Sequence, residues 1–111
     1  MNQGFIDEMG GSVMLCDTEG VLVYMNDRCA KQYEAKGGRE MIGTNIYECH
    51  PEPARTKLKE LIENQGENIY TIEKNGVKKI IIQTPWREAG EFKGLAEFSI
   101  ILPSEMPHFV R

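Results

Sequence analysis

An alternating strand stands on each side of Asp17-Thr18-Glu19-Gly20, so the fold must accommodate an early antiparallel pair. Val13-Met14-Leu15-Cys16 precedes the turn, and Val21-Leu22-Val23-Tyr24-Met25 follows it. Asp suits the first position of a type I turn, and Gly tolerates the positive φ that returns the chain to a strand. Asn26 then stands where a helix over Asp27–Ala35 needs an N-cap, its side-chain oxygen accepting an orphan N–H of the first turn. Gly37-Gly38 ends that helix.

Further along, Ala54, Leu58, Leu61 and Ile62 recur at i, i+4, i+7 and i+8, the stripe of an amphipathic helix. Pro51 and Pro53 fit its first turn, Glu52 favours its positive end, and Gly66 stands at its C-terminal cap. The period then changes to two. Segments 68–74 and 77–86 flank Asn75-Gly76, a strong type I′ hairpin signal. Glu88-Ala89-Gly90-Glu91 begins a looser connection to a last strand over Gly94–Leu102, which Pro103 stops. The order β-β, helices, β-β-β predicts an α+β domain, a five-stranded antiparallel sheet with helices packed on one face. We divide the chain into an amphipathic helix (1–9), a core (10–102) and a C-terminal tail (103–111).

Asp17…Gly20, Asn26, Ile42-Gly43 and the loop Gly90-Glu91-Phe92-Lys93-Gly94 occur in an order that resembles PAS domains, over residues 10–102. The resemblance implies a sensory or signalling module. Its ligand or cofactor would lie between helices and sheet, or the domain would dimerise and pass a change to an effector protein. It also implies a strand order with the first two strands at the centre of the sheet. Flavin-binding light sensors of the family read G-x-N-C-R-F-L-Q, with the cysteine forming the adduct. The matching run here is Gly43-Thr44-Asn45-Ile46-Tyr47-Glu48-Cys49-His50, with Ile46 at the reactive position. Heme-bearing kinases place an axial histidine seven residues after the first proline of P-E-P, and here Pro51-Glu52-Pro53 leads to Leu58. Neither heme nor flavin has a matching motif, and the cofactor stays unassigned. After the last strand, Ile101-Leu102-Pro103 stands in place of the family's Asp-hydrophobic-Thr output signature. A stand-alone domain and an excised one both fit that reading.

Composition narrows the partners. A formal charge of −4 and a pI near 5.2 argue against nucleic acid, which demands a concentrated positive field. No run approaches the ~18 apolar residues of a membrane span. The first nine residues lack a signal peptide's basic segment and apolar core. Cys16, Cys29 and Cys49 form an odd set without framework spacing, read as reduced thiols packed as small hydrophobes in a bacterial-type cytoplasm.

Cys49-His50-Pro51 is the one reactive-looking cluster. With no second Cys/His pair, the expected roles are structural: His50 caps the following helix, Cys49 packs beneath, and no metal is held. No nucleophile or phosphate motif accompanies it, and His108 lies in the tail, so we expect no enzyme. A small α+β enzyme using Cys49 or His50 is the lowest alternative.

Tyr33, Tyr47, Tyr70, Trp86 and Phe98 supply apolar walls with a few polar tips, the make-up of a ligand pocket, and equally of a filled core. The candidate site joins them with Leu58, Ile62 and Ile82, and sets Tyr47 and His50 at its mouth. A filled core would leave a pure dimerisation adaptor. Residues 77–84 carry Val77 and Ile81 on one face and Ile80 and Ile82 on the other, so a second cover is needed. Phe5, Ile6 and Met9, on one side of the short N-terminal helix, are expected to supply it, within a subunit or across a homodimer.

Overall fold

A computed structural model describes residues 4–111. The expected helix at 1–9 is represented by α1 (Gly4–Glu8), and its first three residues lie outside the described part. The chain continues through β1 (Ser12–Asp17), β2 (Leu22–Met25), α2 (Asp27–Gln32), two short 3₁₀ turns, α3 (Ile46–Cys49) and α4 (Ala54–Asn64). Strands β3 (Asn68–Lys74), β4 (Val77–Glu88) and β5 (Glu91–Ile101) close it. All five strands form one antiparallel sheet in the order β2-β1-β5-β4-β3. β1 is interior, as expected. β2 is not: it holds an edge, because β5 rather than β2 pairs with the inner side of β1.

The first turn forms as its residues require. Asp17 Oδ1 accepts from the N–H groups of Glu19 (2.9 Å) and Val21 (3.0 Å), and Gly20 has φ 85°. Asn26 does more than cap α2. Fully buried, its Oδ1 accepts from Cys29 N and Val13 N at 3.0 Å each. Its Nδ2 donates to the carbonyls of Ile6 (2.9 Å) and Gly11 (2.8 Å). One side chain thus fastens α1, β1 and α2 together. Helix α2 ends at Gln32, and the expected remainder relaxes into 3₁₀ geometry before Gly37 takes φ 109°.

Helix α4 starts after Pro53, with Glu52 supplying the cap: its Oε1 accepts from Thr56 N at 3.0 Å. At the other end Gln65, not Gly66, takes the left-handed conformation, while Gly66 N–H reaches back to Leu61 O (2.9 Å). The Asn75-Gly76 turn has positive φ at both residues, as a type I′ turn demands. The β4–β5 connection is tighter than expected. Ala89 and Gly90 both have positive φ, so β4 and β5 run to within two residues of each other.

The hydrophobic core gathers Cys16, Leu22, Met25, Cys29, Leu58 and Leu61 with their neighbours between α2–α4 and one sheet face. Helix α1 stands apart from them, because Ile6 lines a hollow on the opposite face with Val13, Leu15 and Phe98.

Candidate functional site

Register decides what the helix-covered face presents. Asn68, Gln83, Glu97 and Met14 lie opposite one another across β3, β4, β5 and β1. The first three are joined in one direction. Asn68 Nδ2 donates to Gln83 Oε1 at 3.0 Å, and Gln83 Nε2 donates to Glu97 Oε1 at 2.9 Å. Gln83 is buried at 5% exposure, so this chain satisfies an amide that would otherwise be stranded.

Above this row lie three adjoining cavities, each lined by both His50 and Glu97. The largest, about 420 Å³, is bounded by Ala54, Lys57 and Leu58 of α4 and by Asn68, Tyr70 and Gln83 of the sheet. A second, about 190 Å³, extends toward Tyr33, Ile81 and Lys79. The third, about 30 Å³, is an apolar recess walled by Met14, Cys16, Leu22, Ile46, Leu58 and Leu95. Together they make a cleft between α4 and the sheet.

His50 closes α3 and is fixed by its Nδ1, 2.7 Å from Ile46 O. Because a carbonyl can only accept, Nδ1 carries the proton there. Arg55 Nε donates to the His50 carbonyl at 3.2 Å, which ties the residue to the start of α4. Tyr33 is pushed up to about 12 by burial and then by the charge of Glu97. Burial and Glu97 also raise Tyr70. Cys16, in the recess wall, is pushed up to about 11 by burial, which keeps its thiol protonated and unreactive at neutral pH.

The structure divides the candidate residues. Tyr33, His50, Leu58 and Tyr70 come together around the cleft. Ile62 is buried in the core cluster beside it. Tyr47 packs against that core with Gly20 at its ring edge and Lys59 Nζ 5.2 Å from its centroid, so it closes the turn rather than the cleft mouth. Ile82, Trp86 and Phe98 must be removed from the set. They lie on the other sheet face, where Ile82 pairs with Phe98, and Trp86 and Phe98 line the hollow below α1. An entire sheet thickness separates them from Glu97. Side-chain alternation of period two imposes that separation.

Cys49 is exposed rather than packed beneath His50, whereas Cys16 and Cys29 are buried as expected. No cluster able to hold a metal occurs among the described residues. Of the N-terminal trio, Ile6 reaches the sheet, while Phe5 is 75% exposed. Sequence reasoning missed Asn68, Gln83 and Glu97. Its available signal was a lone acid within the apolar run Leu95-Ala96-Glu97-Phe98.

No family model and no curated protein matches the sequence. Solved structures do match its fold. The chain superposes on the Aer2 receptor of Vibrio cholerae, a dual PAS-heme oxygen sensor, with a TM-score of 0.64 at 19% identity, covering 86% of this chain and 96% of that one. For the PAS domain of the histidine kinase ThkA the values are 0.65 and 13%, with 83% and 99% covered. VqmA, in a structure bound to DPO, gives 0.64 at 20% identity over 89% of this chain and 56% of that one, so the chain spans little more than half of VqmA. The fold is therefore that of PAS domains. No helix among the described residues is long and apolar enough to cross a membrane.

Proposed function

We propose that this chain is a PAS-type sensory module, cytoplasmic and non-enzymatic, that takes up a small molecule between α4 and the inner sheet face. The observation that carries this reading is the cleft itself: a cavity of about 420 Å³ with an apolar wall and polar groups converging on Glu97. Its volume falls in the range of small-molecule sites, ~300–1,000 Å³. The fold it shares with a heme oxygen sensor and with ligand-bound VqmA supports the same reading. No side chain of the cleft matches a heme or flavin motif, so we assign neither.

Leu58 tests it, because it lines both the large cavity and the apolar recess. Leu58→Trp should abolish uptake while preserving the fold. The assay is native mass spectrometry of wild-type and variant protein purified from cells, with circular dichroism as the folding control. A small molecule that stays bound in the variant, or a wild type that never carries or binds one, would sink the cleft reading.

A second assignment, dimerisation, rests on the outer sheet face. Ile82 and Phe98 are only half-buried there, and Ile69 is 62% exposed. A signalling effector would follow from either mode. The acidic charge argues against nucleic acid as a partner of this domain, whereas VqmA, described as a dimer in the absence of its target DNA, is a DNA-binding receptor. Light scattering at high concentration decides the dimer, and a clean monomer refutes it.

A further inference from the structure

Glu97 is the one acidic side chain lining the cleft, and it occupies the middle of the central strand. Its hydrogen-bond chain has a direction: Asn68 gives to Gln83, and Gln83 gives to Glu97. The carboxylate is the end of that chain. It accepts one hydrogen bond on Oε1, although an ionised carboxylate offers about four acceptor positions. The ion pairs among the described residues, Arg39–Asp27 and Lys93–Glu91, leave it out. A carboxylate beside an apolar recess is costly to desolvate unless a counter-charge meets it.

His50 adds a second acceptor. With Nδ1 committed to Ile46 O, Nε2 is the nitrogen left to accept from a ligand, and the residue lines every cavity that Glu97 lines. Tyr33 and Tyr70 face the same 190 Å³ space, and aromatic rings also favour cations. Deeper in, Met14, Cys16, Leu22 and Leu95 offer only apolar contact. Lys57 and Lys79 each line one of the two larger cavities but form no ion pair with Glu97.

We propose that the cleft selects a small organic cation: an apolar group in the recess, with a protonated amine seated between Glu97 and His50. The assignment rests on the reading of the cleft as a ligand site. It gives the unpaired carboxylate its counter-charge and matches an N–H donor to two acceptors. An anion anchored by Lys57 or Lys79 is the opposite polarity, and the same experiment decides between them.

The test uses three probes of one shape at neutral pH: benzylamine, benzyl alcohol and benzoate. Binding is followed by calorimetric titration and by the shift of the melting temperature. Benzylamine should bind saturably, and both other probes at least about tenfold more weakly. Glu97→Gln should keep the fold and remove that preference, because it abolishes the charge while retaining the size and an acceptor. Leu58→Trp should remove binding of every probe. Equal binding of all three in wild type, lost in Leu58→Trp, would overturn the amine and leave the cleft standing. Preference for benzoate, or benzylamine binding unchanged in Glu97→Gln, would also overturn it. No binding of any probe would take down both the amine and the cleft.

Discussion

The helix-facing side of the sheet carries Ser12, Gln83, Glu97 and Ser99 among its apolar residues, whereas the opposite side carries Val13, Ile80, Ile82, Phe98 and Ile100. The same strands build both, so the contrast lies in what covers them. Polar groups under α2–α4 need partners, and they find them in one another and in an unfilled cleft. Apolar groups on the other side need only exclusion of water, and five residues of α1 provide it over the β1 end alone. One face is specified by directional bonds, the other by area.

Substitutions that strike both faces should have the largest effects. At Gly94 a Cβ would come within 1.9 Å of the Cys16 carbonyl oxygen, where β5 crosses β1 at φ 147°. Gly94→Ala should cost about 3 kcal/mol or more and should appear as a large drop in urea midpoint. A near-wild-type midpoint would show that the two strands can part locally.

Asn26→Ala comes next. It strands two N–H groups and two carbonyls around one buried site, and about 3 kcal/mol of destabilisation is expected. A smaller loss would mean that water enters to replace the amide.

A matched pair then separates the faces. Phe98→Asp should lower stability by about 2 kcal/mol and disrupt any self-association, since it puts a charge on the apolar side. Glu97→Gln, one residue away, should change stability by less than about 1 kcal/mol, because Gln83 keeps an acceptor. Equal losses in urea titrations would erase the distinction between the faces.

Alkali probes the inner face through Tyr33. Tyr33 ionises near 12 in the fold and near 10 when unfolded. Its neutral form is the one the fold favours, so the contribution is present below pH 10 and is lost as pH rises from about 10 toward 12. Tyr33→Phe should flatten the fall in urea midpoint across that window. An unchanged slope would assign the loss to the other groups raised in the same direction, Cys16, Tyr24, Cys29, Tyr47 and Tyr70.

The smallest effect should come from Phe5→Ser. With Phe5 75% exposed, a monomer should change by less than about 0.5 kcal/mol. A much larger, concentration-dependent loss would reveal that Phe5 is covered by a second subunit.

Local chemistry made the elements legible. Asp17…Gly20, Asn26 and Asn75-Gly76 each had a stereochemical reason to stand where they do, and each turn formed. The positions of β2 and of Ile82, Trp86 and Phe98 were not legible in the same way. Which strand borders β1, and which side of β4 meets the helices, are set by contacts distant in sequence. Trp86 is instructive, because it lies in phase with Ile82 ahead of the register shift at Arg87, so both stand or fall with the assignment of that one face. Glu97 escaped for a related reason: a lone acid in a strand reads as solvent-facing until its partners Gln83 and Asn68 are brought beside it.

The bond from Trp86 Nε1 to Cys16 O (2.9 Å) ties an indole on the outer side of the sheet to the backbone of β1. Cys16 turns its side chain toward the recess and offers its carbonyl to an indole that lies with Ile6. Trp86 is the sole tryptophan of the chain, so its emission comes from one place. The molecule therefore has a built-in fluorophore wired to the cleft wall. Filling of the recess that tilts the Cys16 peptide would register as a change in colour and lifetime, with no label attached.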